Sequence, residues 1–213
     1  LHRSRGLGDV YKRQEIRRGI KATVPRMNVG DQESKDTTHI SVADAHGNCV
    51  ALTHSLGMPS GVVTDGLGFM YNGCMAVFDP RPGNPGSIVP GKARFSAMCP
   101  TIIFKDDKPF LVIGAPGGTY ITMGVLQAIL NVIDFDMTAQ QAVAAPRFCT
   151  TSDAIDITNR ILRSAERELV AMGYEVRRNA RSYNFAGVHA VRNTDGNWDG
   201  GADPARDGMA IKI

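Results

Sequence analysis

The chain has no apolar run long enough to cross a membrane as a helix. About 18 uninterrupted residues are needed, and the longest apolar region, Ile121–Ile133, is broken by Gly124, Gln127 and Asn131. Cysteine is scarce and dispersed: Cys49, Cys74, Cys99 and Cys149 form no C-x-x-C pair, which excludes a zinc ribbon or a redox dithiol, and they are expected to pack as small hydrophobes. His2, His39, His46, His54 and His189 show neither H-E-x-x-H nor comparable spacing, so no metal and no cofactor is expected and each histidine reads as structural or exposed. Aromatic residues make up only 7% and are not interleaved with basic ones. The net charge of +3 arises in residues 1–27, whose eight Lys/Arg against Asp9 and Glu15 leave the remainder at −3. With no basic face and no recognition-helix pattern downstream, a nucleic-acid partner is excluded. Gly57-Met58-Pro59-Ser60-Gly61 is not a nucleophile elbow, Gly66-Leu67-Gly68 lacks the third glycine of a dinucleotide fingerprint, and no phosphate-binding loop occurs.

What is present is a chain of 213 residues, 43% hydrophobic, with 23 glycines. That length suits one domain or a little more and needs no disulfides. The chain opens on Leu1 without a methionine or an apolar leader, which predicts a piece of a longer protein and leaves its compartment open. Residues 1–14 read as a non-native or disordered segment and 15–36 as a polar linker, with order starting near Thr37. His39–Asp44 and Cys49–Ser55 alternate around the turn 45–48 and predict a hairpin with Ile40 and Val42 on one face. Residues 56–68 predict a glycine-rich loop, Phe69–Tyr71 a short strand, and Asp79–Gly91, with four prolines and three glycines, a long loop. Thr101–Lys105 and Phe110–Ile113 predict a second hairpin. A helix follows to about Asp134, apolar on most of its circumference and so expected to be buried. Thr138 predicts the cap of a helix over Ala139–Ala145, ended by Pro146, and Thr158 or Asn159 the cap of another that carries Ile161, Leu162, Ala165 and Leu169 and stops at Gly173. Tyr174–Arg178, His189–Arg192 and Met209–Ile213 predict strands. Strands, then helices, then strands indicate an α+β layered fold with a largely antiparallel sheet.

Three segments can carry chemistry. Asp36-Thr37-Thr38-His39-Ile40-Ser41 opens the first strand. A threonine freed at its amino side becomes a nucleophile, because the α-amino group, with a pKa of about 7.7–8.0, serves as the adjacent base. The plainer reading is a β-branched strand opening. Pro116-Gly117-Gly118 lies between a strand and a helix, where backbone N–H groups suit an oxyanion; a simple turn is the alternative. Lys92-Ala93-Arg94-Phe95-Ser96-Ala97-Met98-Cys99-Pro100 is either a carboxylate-binding site or a loop returning to the sheet.

In order, Asp36–Ser41, Lys92–Pro100, Gly114-Ala115-Pro116-Gly117-Gly118, Ala144-Ala145-Pro146-Arg147-Phe148 and Gly201-Ala202-Asp203-Pro204-Ala205-Arg206 resemble the small-subunit region of the γ-glutamyltranspeptidase family, over more than 80% of the chain. The resemblance implies an N-terminal-nucleophile hydrolase fold, a four-layer αββα sandwich, with 37–213 as the small-subunit catalytic domain and 15–36 as the end of a large subunit, the partner from the same precursor. It implies self-cleavage between Asp36 and Thr37, with Thr37 as nucleophile and Gly117 and Gly118 as the oxyanion hole. The acyl group of a glutathione-like amide would then pass to water, an amino acid or a peptide. Ser55 stands where the family has a second threonine, and Gly57 where it has asparagine. Asn72-Gly73-Cys74-Met75-Ala76-Val77-Phe78 aligns with the segment that grips the substrate α-amino group, but Cys74 and Val77 replace its polar residue and its aspartate. Ser96 is retained from the pair that binds the α-carboxylate; Ala97 replaces the other. Ser96, Gly57 and Asn72 are thus the candidate substrate contacts. An ammonium buried without its carboxylate costs about 3–5 kcal/mol, roughly 200- to 5,000-fold in affinity, so γ-glutamyl recognition is expected to be weakened. A non-catalytic scaffold of the same fold is the alternative.

Overall fold

The computed structural model describes residues 36–150 and 153–213; the expectations for 1–14 and for 15–35 lie outside the described residues. In chain order the elements are β1 (Thr37–Ala43), β2 (Cys49–Ser55), β3 (Pro59–Val63), β4 (Met70–Asn72), β5 (Thr101–Lys105), β6 (Lys108–Gly114), α1 (Ile121–Ile133), α2 (Ala139–Ala144), β7 (Phe148–Cys149), β8 (Ala154–Ile157), α3 (Arg163–Ala171), β9 (Glu175–Arg178), β10 (His189–Thr194) and β11 (Asn197–Ala202).

The expected first hairpin forms, with β1 and β2 antiparallel from Thr37↔Ser55 to Ala43↔Cys49. Its turn is closed by Asp44, whose carboxylate accepts the amides of His46 (2.8 Å) and Asn48 (2.9 Å). Ile40 and Val42 do share a face, but it is the exposed one: Ile40↔Leu52 and Val42↔Val50 pair across the strands with each side chain about half exposed. The polar residues Thr37, His39, Ser41, Thr53 and Ser55 face inward. Period two assigns residues to faces, and here the polar face is the one that turns toward the rest of the protein.

The hairpin lies against an antiparallel sheet of order β11-β10-β6-β5. Leu111, Ile113 and Ala190 point from its other face into a core with Val125, Ala128, Val132, Ala142 and Val143 of the helices. Thr138 caps α2 as expected, in a full capping box: its hydroxyl accepts the Gln141 amide, and the Gln141 side chain accepts the Thr138 amide. Two smaller sheets complete the chain, a β3-β4 ribbon and β7-β8-β9.

Several expectations are corrected. Helix α1 is not buried all round; Ile121, Val125, Ala128 and Val132 are covered, while Leu126, Leu130 and Ile133 are 42–52% exposed, because only one side meets the sheet. Residues 56–68 include β3, and the short strand predicted at Phe69–Tyr71 is Met70–Asn72, set by pairing of Val63 with Met70 and of Pro59 with Asn72. The helix expected from Thr158 or Asn159 begins only at Arg163 after Leu162. Arg178 donates to the carbonyls of Thr158, Asn159 and Ile161, which holds those residues out of a helical ladder. Met209–Ile213 is not a strand. Ala210 crosses the face of β11 at Gly200, where a side chain on the glycine would meet it at 2.9 Å, so the segment does not run along a sheet edge. Strands β7, β8 and β11 lie where no strand was expected; β11, Asn-Trp-Asp-Gly-Gly-Ala, is weak in strand formers and is held by pairing with β10.

Candidate functional site

The first rung of the hairpin brings two hydroxyls together. Thr37 Oγ1 lies 2.7 Å from Ser55 Oγ, directly opposite in register, and both residues are half-buried. Ser55 Oγ also accepts the Gly57 amide at 2.8 Å. Just before the rung, the carbonyl of Asp36 accepts the Leu56 amide at 3.2 Å. The Asp36–Thr37 peptide is therefore held at its carbonyl while a hydroxyl pair sits beside it, an arrangement able to polarise the carbonyl and pass a proton between hydroxyls. Gly57 has φ +72°, and a Cβ there would stand 2.9 Å from Cys74 Sγ, so Gly57 and Cys74 occupy one crowded spot next to Ser55.

Two residues along β1, His39 is buried on the same inward face. Its Nδ1 is 2.8 Å from Thr53 Oγ1 and its Nε2 2.9 Å from Ser41 Oγ. Ser41 Oγ also donates to the carbonyl of His189 (3.4 Å), and the His39 ring is bracketed by two hydroxyls. Burial, and then the neighbouring His189, push the His39 pKa down to about 4. The ring lies on Gly114, the last residue of β6, where any Cβ would meet it at 2.2 Å. His189 is likewise pushed down by burial, with Asp203 opposing that effect and Arg206 adding to it.

The glycine turn follows three residues after Gly114. Gly117 has φ +140° and Gly118 φ +59°, and Gly118–Tyr120 forms a single 3₁₀ turn leading into α1. The structure thus brings Thr37, Ser55 and Gly57 into one hydrogen-bonded cluster. It anchors the Gly117-Gly118 turn to the end of the strand beneath His39. Asn72 and Ser96 bond within their own loops: Asn72 Oδ1 accepts the Cys74 amide (3.1 Å) and Ser96 Oγ the Met98 amide (3.2 Å). Asn72 nevertheless lies beside the cluster, since the next residue, Gly73, donates to Leu56 O at 3.1 Å. Ser96 lies near the start of α1, where Thr122 donates to Ala97 O at 3.3 Å.

Sequence reasoning assigned no role to the buried ion pair of Arg147 with Asp203, whose side chains are 2% and 0% exposed. Both residues stand inside segments that carried the family resemblance. The first of these segments holds Arg147 as its one charge and the second holds both Asp203 and Arg206, so neither names its partner.

The threonine-led hairpin packed on an antiparallel sheet backed by helices is the fold of the N-terminal-nucleophile hydrolases, the class of the solved γ-glutamyltranspeptidases to which the chain is similar. The Gamma-glutamyltranspeptidase family model matches residues 10–213, and the chain belongs to that family. The Acylase ACY 1 proenzyme of Pseudomonas sp. (strain V22) is 39% identical over 184 residues, covering 85% of this chain and 33% of that protein. The Glutathione hydrolase proenzyme of Bacillus subtilis (strain 168) is 33% identical over 210 residues, covering 97% of this chain and 35% of that protein. The chain therefore spans about a third of the length of these relatives. Among solved structures, the γ-glutamyltranspeptidase of Pseudomonas nitroreducens in complex with L-DON superposes with a TM-score of 0.72 at 32% identity, over 83% of this chain and 99% of that one. The cephalosporin acylase of Bacillus halodurans gives 0.77 at 25% identity, over 93% and 37%.

Proposed function

We propose that the chain forms the catalytic part of a self-processing threonine acyltransferase and amidohydrolase, acting on γ-glutamyl or related acyl amides. The observation that carries this reading is the Thr37–Ser55 hydroxyl pair beside a hydrogen-bonded Asp36 carbonyl. In the precursor, Thr37 Oγ1 attacks the Asp36 carbonyl while its proton passes by way of Ser55 to the departing Thr37 nitrogen, and water then hydrolyses the resulting ester to the Asp36 carboxylate, leaving the Thr37 amine and hydroxyl free. In turnover, Oγ1 attacks the amide carbonyl while its proton passes to the amine and on to the departing amine. The Gly117 and Gly118 amides hold the oxyanion, and an ester on Thr37 remains. Water, an amino acid or a peptide then takes the acyl group and restores the hydroxyl.

The partner is a large subunit from the same precursor. It supports this reading that the relatives are named proenzymes, that they are about three times as long as this chain, and that Ile40, Val42, Val50 and Leu52 form an exposed apolar face. Relatives named acylase and glutathione hydrolase both match. Cys74 and Val77, where a polar residue and an aspartate are implied, favour an acyl group bound without a strong hold on an α-ammonium. Ser96, Gly57 and Asn72 are the contacts the family resemblance implies for it; Gly57 and Asn72 stand beside the Thr37–Ser55 pair, and Ser96 lies by the start of α1.

Expression of the complete precursor and intact-mass measurement test the reading. Two chains are expected, the smaller starting at Thr37, and Thr37→Ala is expected to block the cut. A single uncut wild-type chain would overturn it.

A further inference from the structure

The glycine turn is braced from below. Residues 184–188 pass directly under it, and two of them, Phe185 (φ +64°) and Ala186 (φ +76°), have left-handed backbone that side chains other than glycine seldom adopt. Such strain persists only where the surroundings over-determine it, and here they do. The Gly187 amide donates to Pro116 O at 2.9 Å. A Cβ on Gly117 would meet Ala186 Cα at 2.6 Å, so the turn rests on the Ala186 backbone. A Cβ on Gly124 of α1 would meet both Phe185 O and Ala186 Cβ at 2.9 Å, and Tyr120 packs edge-on against Phe185, ring centroids 5.4 Å apart.

What holds the strained segment is the buried pair. Arg147 donates to Val143 O (2.6 Å), to Ala186 O (3.0 Å) and to the carboxylate of Asp203. Asp203 in turn accepts the amides of Val188 (3.3 Å) and Ala205 (2.8 Å). Arg147 Nε is buried with no hydrogen-bond partner among the described residues. A fully buried ion pair with an unsatisfied donor is a poor route to stability alone, since its desolvation offsets much of its attraction. Its geometry instead holds the strained segment at Ala186, and the chain just beyond it at Val188, against the turn.

We infer that Arg147 and Asp203 are positioning residues for the oxyanion turn: through Ala186 they set the direction of the Gly117 and Gly118 amides. This rests on the proposed role of that turn. A donor moved by about 1 Å loses about 100-fold in rate, comparable with the loss of one oxyanion donor.

The test uses the complete protein in four variants, three in the processed form and Thr37→Ala, which is expected to stay uncut, as the precursor. Ala186→Gly relieves the left-handed strain and removes the contact with α1 without touching the ion pair. Arg147→Lys keeps the charge but not all three bonds, and Asp203→Asn keeps an acceptor. Thr37→Ala reports on the underlying reading. The expected result is a drop in kcat of about 10- to 100-fold in the first three, with KM within about twofold. A boronic-acid analogue of the acyl group, which mimics the tetrahedral adduct, is expected to bind more weakly by the same factor. Ala186→Gly is expected to do this with no fall in melting temperature, which separates positioning from loss of fold. If Thr37→Ala abolishes turnover while Ala186→Gly retains wild-type kcat and boronate affinity, the positioning inference is overturned. If Thr37→Ala retains turnover, the proposed function itself fails.

Discussion

The hydroxyls of Thr37 and Ser55 face one another at 2.7 Å across the first hairpin rung, and Ser55 is fixed there by the Gly57 amide. Removing the Ser55 hydroxyl takes away the proton partner of Thr37 and the oxygen that accepts from the Gly57 amide. Ser55→Ala is therefore expected to slow self-cleavage of the precursor by about 100-fold or more, whereas Ser55→Thr retains it. A time course of intact masses distinguishes the two; equal rates in Ser55→Ala and wild type would rule out a role for the hydroxyl.

Acid stability should track His39. Its folded-state pKa of about 4 lies below the ordinary 6.5, so between those values the unfolded chain binds the proton and the folded protein does not. Its contribution is complete above pH 6.5 and is lost as pH falls toward 4. The group facing it is His189, itself held low by burial and flanked by Asp203 and Arg206, and the direct partners Thr53 and Ser41 are neutral. Denaturant midpoints should therefore fall between pH 7 and 5 in the wild type and fall less in His39→Gln.

Gly114 is a site where size alone decides. A methyl there would overlap the His39 ring at 2.2 Å, and Gly114→Ala is expected to cost about 1–3 kcal/mol. Adding His39→Ala makes room, so the double variant should be more stable than the sum of the single changes requires. Additive losses in a double-mutant cycle would contradict the packing described.

Val77 tests specificity. Val77 is 43% exposed and closes the 3₁₀ turn Cys74–Val77, which begins beside Gly57. Val77→Asp introduces a carboxylate where the family resemblance implies one. It is expected to raise kcat/KM for a γ-glutamyl anilide relative to the des-amino glutaryl anilide by at least about 10-fold. A wild-type enzyme that already prefers the γ-glutamyl substrate strongly would refute the reading of Val77.

Much of the local structure was legible without coordinates. Alternation around the turn at Asp44 determines the first hairpin, Thr138 and Gln141 determine the start of α2, and glycines before an apolar periodic stretch determine a turn leading into α1. Each rests on residues within a few positions of one another, so the physics is local. Thr37 and Ser55 were both readable as candidates, but a turn at 45–48 would set Thr37 opposite Leu56, and the register that pairs it with Ser55 is one residue away, fixed by the turn that Asp44 closes.

Only the tertiary structure decided which face each element turns inward. Periodicity says that Ile40 and Val42 share a face, not that the hairpin presents Thr37, His39 and Ser41 to the sheet. It does not say that Leu126 and Leu130 stay uncovered, or that Arg178 draws the carbonyls after Thr158 out of a helix. Arg147 and Asp203 are 56 residues apart, and nothing in either motif names the other. Their pairing, and the strained Phe185-Ala186 segment it holds under the glycine turn, exist only once the chain is closed, because burial and long-range hydrogen bonding depend on which segments meet in space.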